Sequence, residues 1–156
     1  MNGKFILYAT VFCLLLFSLA AAEMGVQFND VTTIDGEVIA AKELNGSPVV
    51  LSIMAYWCPS CRAEAYELQK AYKKYRDSGV QFLALFIRSS DKGIRQFVER
   101  NGITFPVGQD TGLARQLGVW SVPVTFIIAR DGTVKERYLG RISQSAIRPG
   151  IEEIQN

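Results

Sequence analysis

The sequence contains no histidine among its 156 residues, and this absence removes several kinds of chemistry. Nucleophile schemes that pair a serine or a cysteine with histidine are excluded. A zinc site is also excluded, because only three cysteines are present, and Cys13 is the only one beyond Cys58 and Cys61. We therefore predict that the chain holds no metal and needs no other cofactor.

An excess of charge of one sign is also missing. The chain has 17 Lys and Arg against 15 Asp and Glu, a net charge of +2. Lys4 is the only charged residue among residues 1–22, so the rest of the chain has 16 basic and 15 acidic residues. No basic block, phosphate-cradling glycine loop, repeat or low-complexity segment is present. Nucleic acid is therefore not an expected partner, and no electrostatic membrane patch is expected.

The first 22 residues have the three parts of a secretory signal peptide. One positive charge at Lys4 precedes an apolar run over residues 5–19, and three alanines follow before the first acid at Glu23. The alternative is an uncleaved membrane anchor, because the apolar run is nearly long enough to span a bilayer. Residues 23–156 then form one domain, which we expect outside the cytoplasm, in the periplasm or an equivalent compartment.

The remaining two cysteines lie where a strand turns into a helix. Residues 48–54 form an uncharged apolar run typical of a strand buried on both faces. From residue 61, apolar side chains recur at steps of four and three, which predicts an amphipathic helix reaching residue 78. If Cys58 is the helix N-cap, Pro59 takes the first helical position, where a missing N–H costs nothing.

That position has a chemical consequence for the sulfur of Cys58. The free backbone amides of the first turn, together with the helix dipole, stabilise a thiolate, so we expect the pKa of Cys58 to fall below about 8.5. Cys61 lies three residues later on the same face and can close a disulfide. We predict Cys58 as the attacking sulfur and Cys61 as the resolving one. The alternative is a structural disulfide, although so short a loop removes little entropy from the unfolded chain.

The rest of the chain predicts an α/β domain with a mixed sheet between helices. A hairpin is expected around Asp35-Gly36, before the buried strand. Further strands are predicted over residues 80–87, 103–107, 124–129 and 134–139, with the second of these at an edge because of Pro106. Helices are predicted over residues 91–101, 111–117 and 143–155, the last with its middle disturbed by Pro149-Gly150.

Four stretches resemble the TlpA/ResA-like thiol–disulfide oxidoreductases, the exported branch of the thioredoxin superfamily. They are the active-site segment 57–64, the hairpin region 28–44, residues 105–107, and the loop and hairpin of residues 118–132. The resemblance implies a thioredoxin-like fold with an added N-terminal β-hairpin. It also implies that Val122-Pro123 is a cis peptide beside the cysteines. Trp57, Pro59, Val122 and Pro123 would then support the active site and form a groove in which an extended substrate pairs with Val122.

Two positions depart from that pattern. Tyr66 stands where the family has a proline, and Ser52 stands where cytosolic thioredoxins carry a buried Asp. Because a serine takes up no proton at neutral pH, we assign proton handling to Glu64, which matches the acidic residue of the family's motif. Partial burial should raise the pKa of Glu64. The alternative is a solvated acid in the first helical turn, where the helix dipole favours negative charge.

These observations predict an exported enzyme that exchanges a Cys58–Cys61 dithiol or disulfide with protein substrates. By the resemblance it acts as a reductant, with apocytochrome c among the candidate substrates and a membrane thiol protein as electron donor, and we expect a monomer. One alternative is a redox-silent peptide-binding module. Another is a thiol peroxidase, but peroxiredoxins carry Thr or Ser three residues before their cysteine, and Ala55 stands there.

Overall fold

The structure is a computed structural model and describes residues 25–155. The predicted signal peptide or anchor, residues 1–22, and Cys13 within it lie outside the described residues. Among residues 25–155, no helix combines the length and the apolar character that crossing a bilayer requires.

A five-stranded mixed sheet forms the centre of the domain. In spatial order its strands are β5 (Val107–Gln109), β4 (Gln81–Phe86), β3 (Val49–Met54), β6 (Val124–Ile128) and β7 (Val134–Leu139). Strand β3 is parallel to β4 and antiparallel to β6, while β5 is parallel to β4 and β7 is antiparallel to β6. Every residue of β3 is buried, as the uncharged apolar run predicts. The predicted mixed sheet is confirmed.

Helices cover both faces of this sheet. They are α1 (Ala41–Leu44), α2 (Pro59–Tyr75), α3 (Asp91–Asn101), α4 (Leu113–Gln116) and α5 (Gln144–Gln155), and a 3₁₀ turn at Arg76–Ser78 follows α2. Side chains of α2, α3 and α5 form one apolar cluster with one face of the sheet. The N-terminal segment, α1 and α4 contribute to a second cluster on the other face.

The predicted N-terminal hairpin is present as a separate two-stranded sheet. Strands β1 (Val31–Thr32) and β2 (Val38–Ile39) pair antiparallel. Gly36, at φ +88°, makes the turn between them, in a backbone region that favours glycine. The hairpin joins the main sheet at β5 through a bridge between Thr33 and Gly108. It therefore lengthens the β5 side of the fold.

The predicted edge strand over residues 103–107 is wrong in its extent. Strand β5 begins only at Val107 and continues to Gln109. Pro106 has no N–H to donate to a ladder, and only its carbonyl takes part, accepting a hydrogen bond from the Ala84 N–H at 3.0 Å. The ladder of β5 therefore starts at Val107, one residue after the proline.

Two helix predictions also need correction. Helix α4 covers four residues instead of the predicted 111–117, because Asp110 accepts hydrogen bonds from the Gly112 and Ala114 N–H groups and holds the preceding turn. Helix α5 runs without a break through Pro149, although a proline there was expected to disturb it. Its buried isoleucines and Gly150, which lies against Ile127, hold the helix on the sheet more strongly than the proline disfavours it.

Candidate active site

The two cysteines lie at the junction of β3 and α2. Cys58 is the N-cap of α2 and Pro59 is its first residue, as the sequence predicts. The Cys61 N–H donates a hydrogen bond of 3.1 Å to the Cys58 sulfur. A free amide of the first helical turn therefore reaches this sulfur, and the same amide can stabilise a Cys58 thiolate.

A disulfide joins Cys58 to Cys61, with their Cα atoms 5.2 Å apart. Cys58 is 6% exposed, whereas Cys61 is fully buried. An approaching substrate can therefore reach only the outer sulfur. This difference agrees with the predicted roles, Cys58 attacking and Cys61 resolving.

The loop before β6 lies against the outer sulfur. The Val122-Pro123 peptide is cis, as the resemblance implies. The Val122 carbonyl oxygen lies 3.7 Å from the Cys58 sulfur. In the described part of the chain the Val122 N–H has no backbone hydrogen-bond partner. An extended segment could therefore pair with Val122 while its own sulfur faces Cys58.

Glu64 lies one helical turn after Cys61 on α2 and is fully buried. Its Oε1 accepts hydrogen bonds from the Thr125 hydroxyl at 2.7 Å and the Ser52 hydroxyl at 3.0 Å. Its Oε2 is buried without a hydrogen-bond partner among residues 25–155. The interpretation of Glu64 as a solvated first-turn acid is therefore wrong. Its burial is complete, where the sequence predicted partial burial.

The protein environment raises the pKa of Glu64. Burial is the largest cause, because it removes the charged carboxylate from water. Hydrogen bonds from Thr125 and Ser52 oppose this effect, as does the nearby Ile142 amide, whose geometry falls short of a hydrogen bond to the carboxylate. Burial outweighs all three, so Glu64 takes up a proton more readily than an exposed glutamate.

The pocket of Glu64 comes from two strands. Ser52 on β3 stands directly opposite Thr125 on β6 in the antiparallel ladder. Their hydroxyls converge on one carboxylate oxygen. From the sequence, Ser52 stands out only as a departure from cytosolic thioredoxins, and no pattern assigns a role to Thr125. The available signal was that each is a lone polar residue within an apolar strand.

Aromatic side chains stand around the cysteines. Trp57 is 52% exposed, and its indole N–H donates a 3.2 Å hydrogen bond to the Arg88 carbonyl. Trp120, two residues before Val122, is 81% exposed. Trp57 is thus held in place by the loop after β4, with more than half of its surface accessible to a substrate.

A five-stranded mixed sheet, a cysteine pair at a helix N-terminus and a cis-proline beside it together define a thioredoxin-like thiol–disulfide exchange protein. The AhpC/TSA family profile matches residues 21–137. The thiol–disulfide oxidoreductase ResA of Bacillus thuringiensis (strain Al Hakam) is 32% identical over 126 residues, which cover 80% of this chain and 73% of that protein. The chain belongs to the AhpC/TSA family and, within it, to the ResA-like thiol–disulfide oxidoreductases.

Solved structures agree with the thioredoxin-like fold. A thiol:disulfide interchange protein of the thioredoxin family from Chlorobium tepidum superposes with a TM-score of 0.75 at 22% identity, covering 85% of this chain and 95% of that one. A secreted disulfide oxidoreductase of Mycobacterium tuberculosis, described as homologous to E. coli DsbE, gives a TM-score of 0.71 at 25% identity, over 81% of this chain and 96% of that one. The predicted thioredoxin-like fold is confirmed.

The predicted enzyme class is confirmed as well. Relatives in the ResA group carry the name thiol–disulfide oxidoreductase, which favours the predicted enzyme over the alternative of a redox-silent binding module. The name of the matched family does not by itself separate exchange from peroxidase chemistry. Ala55, three residues before Cys58, and the second sulfur of Cys61 favour exchange.

Proposed function

We propose that this chain is an exported reductant of protein disulfides, in which Cys58 attacks, Cys61 resolves and Glu64 accepts the proton of Cys61. The observation that carries the proposal is the order along the start of α2 of an outer sulfur, an inner sulfur and, one turn later, a buried glutamate of raised pKa. Each of the three groups has the accessibility that its assigned step requires.

The first step begins from the reduced enzyme. The Cys58 thiolate, stabilised by the Cys61 N–H, attacks one sulfur of the substrate disulfide. A bond forms between Cys58 and that sulfur, while the substrate's own S–S bond breaks and releases a substrate thiolate. Pairing of the substrate backbone with Val122 would hold the attacked sulfur beside Cys58.

The second step releases the substrate. Cys61 must first lose a proton, and the carboxylate of Glu64, one helical turn further along α2, accepts it. The Cys61 thiolate then attacks Cys58, the enzyme disulfide forms, and the second substrate sulfur leaves as a thiolate. Two electrons have passed from the enzyme to the substrate. The raised pKa of Glu64 makes it a better base for a thiol than an ordinary carboxylate.

The names of the relatives support a place outside the cytoplasm, since one similar solved structure is described as secreted. We propose that residues 1–22 are the signal that directs export of this chain. Reduced enzyme must then be regenerated by a donor, and we propose a membrane thiol protein, because a dithiol in an oxidising compartment needs an electron source. Apocytochrome c is our candidate substrate, and a single Cys58–Cys61 pair is sufficient for a monomer to act.

The reduction potential of the protein tests the proposed direction of electron flow. Equilibration of the protein with glutathione buffers gives its reduction potential, which we expect to be more negative than about −200 mV, as in reducing members of the fold. A value near −120 mV, typical of a strong oxidant, would contradict the assignment as reductant.

The substrate is tested with a disulfide-bonded Cys-X-X-Cys-His peptide, the sequence of a c-type haem attachment site. We expect the reduced enzyme to open this disulfide at least as fast as that of the same peptide with Ser in place of His. A clear preference for the serine peptide would argue against an apocytochrome substrate.

A further inference from the structure

A groove of about 440 Å³ lies beside the active site, between the start of α2 and helix α3. The mechanism above makes no use of it. The groove begins at the residues just before Cys58, so a substrate bound to that sulfur would pass its entrance. Its lining consists of Tyr56, Trp57, Arg62, Gly93, Gln96, Phe97, Arg100 and Asn101.

One wall of the groove is aromatic and is fixed from behind by the loop after β4. The Tyr56 N–H donates a 3.3 Å hydrogen bond to the Ser89 hydroxyl, and the Trp57 indole N–H donates to the Arg88 carbonyl. Arg88 has φ +46°, in the left-handed region that residues other than glycine rarely occupy. Backbone strain is therefore present in the loop that holds the Tyr56 backbone and the Trp57 ring.

Helix α3 has a glycine where the Tyr56 ring meets it. A Cβ atom at Gly93 would lie 2.8 Å from the Tyr56 ring, too close for real atoms. The missing side chain lets the ring lie directly on the helix backbone. The aromatic wall and the helix therefore fit together closely, as in a formed binding groove.

The charge of the groove is positive. Arg62 and Arg100 both line it and are exposed, and neither pairs with a carboxylate in the part of the chain that the structure describes. The acids of α3, Asp91 and Glu99, do not line the groove, and Asp91 accepts a hydrogen bond from Gln109 instead. Two free guanidinium groups beside an aromatic wall favour carboxylates on a polypeptide.

We propose that this groove binds an acidic segment next to the reactive cysteine of the substrate, and so selects protein disulfides that have Asp or Glu nearby. The inference rests on the proposed disulfide reductase function. Carboxylates on such a segment would pair with Arg62 and Arg100, while its backbone and apolar atoms contact Tyr56 and Trp57. The positive field would also speed encounter with Cys58.

The test uses three disulfide-bonded peptides that are identical except for the residues flanking the disulfide, which are Asp, Ser or Lys. Stopped-flow measurements give the second-order rate constant for each peptide with the full-length reduced protein at low ionic strength. Two double variants are compared with the wild type. The groove variant carries Arg62→Gln and Arg100→Gln, and the matched control carries Arg115→Gln and Arg148→Gln. The control removes two exposed arginines of α4 and α5, outside the groove, so it corrects for net charge.

For the wild-type protein we expect the Asp peptide to react on the order of tenfold faster than the Lys peptide, with the ratio decreasing as salt is added. The ratio should fall to about twofold in the groove variant and should persist in the control. Equal rates for the wild type, or a ratio that persists in the groove variant, would overturn the inference while leaving disulfide reduction intact. If the protein reduces none of the three peptides, the proposed function is overturned and, with it, this inference.

Discussion

Glu64 is the only fully buried carboxylate of the described chain, and it lies one helical turn after Cys61 on α2, which is why we assign it a role in moving protons. Glu64→Gln keeps the shape of the side chain and removes the proton acceptor. We expect resolution of the mixed disulfide to slow on the order of 100-fold, the contribution typical of general base catalysis. The variant's pH profile should also lose one ionisation, because the glutamine amide does not titrate.

Rapid mixing of reduced enzyme with a disulfide peptide, at a series of pH values, separates attack from resolution. Glu67→Gln is the matched control, because Glu67 lies one turn further along α2, where it accepts a hydrogen bond from the Gln144 N–H and pairs with Lys70. Unchanged rates and an unchanged pH profile in Glu64→Gln would reduce Glu64 to a structural acid.

The raised pKa of Glu64 also sets the sign of a stability effect. The folded chain binds this proton more tightly than the unfolded chain, so the stabilisation is complete below the ordinary carboxyl pKa. It is lost as the pH rises from that value through the higher pKa of the folded state. We expect urea denaturation to show this decline in the wild type and to show a smaller decline in Glu64→Gln. An equal decline in both proteins would contradict the raised pKa.

Thr125 tests the same pocket from its other side. Its hydroxyl is the closer of the two donors to Glu64, and Thr125→Val removes it with little change in shape. We expect the pKa of Glu64 to rise further, because a hydrogen bond that favours the charged form is lost. At neutral pH the variant should lose roughly 1–3 kcal/mol of stability. Ser52→Ala removes the longer hydrogen bond, so it should raise the pKa of Glu64 by a smaller amount. A lowered pKa of Glu64 in either variant would argue against this pocket.

At the scale of single elements, helix α5 carries a proline that its packing tolerates. Pro149 is exposed in the middle of the helix and offers no N–H to the turn before it. Pro149→Ala restores that hydrogen bond and should stabilise the domain by about 1–2 kcal/mol, after the added freedom of the unfolded chain is subtracted. The midpoint of urea denaturation measures this, with Arg148→Ala as control. A midpoint at or below that of the wild type would mean that the helix is bent to suit the proline.

The elements that the sequence predicts well are those in which one local pattern decides the outcome. The apolar run before Cys58, the N-cap geometry of α2 and the end of α3 at Gly102 all agree with the structure. The continuity of α5 could not be predicted, because it depends on contacts with β6 that are distant in sequence. The full burial of Glu64 escaped prediction for a similar reason, since both of its hydrogen-bond donors come from strands.

At the scale of the whole molecule, the hairpin adjoins the main sheet through the bridge between Thr33 and Gly108, and residues 1–22 remain a prediction about export. We expect N-terminal sequencing of protein from the exported fraction to begin at Glu23 or within a residue or two of it. The reason is the run of alanines that ends just before the first acid. A chain that keeps Met1 and stays with the membrane would support an uncleaved anchor.

The function of the whole molecule depends on the division of labour between its two sulfurs. The most direct measurement is to trap the mixed disulfide by mixing a disulfide-bonded peptide with reduced Cys61→Ala or with reduced Cys58→Ala, followed by peptide mapping of the adduct. We predict a stable adduct on Cys58 in the Cys61→Ala protein, because the outer sulfur attacks and nothing resolves the product. Cys58→Ala should give little or no adduct, because Cys61 is fully buried. An equally fast adduct on Cys61, or none in either variant, would contradict this assignment.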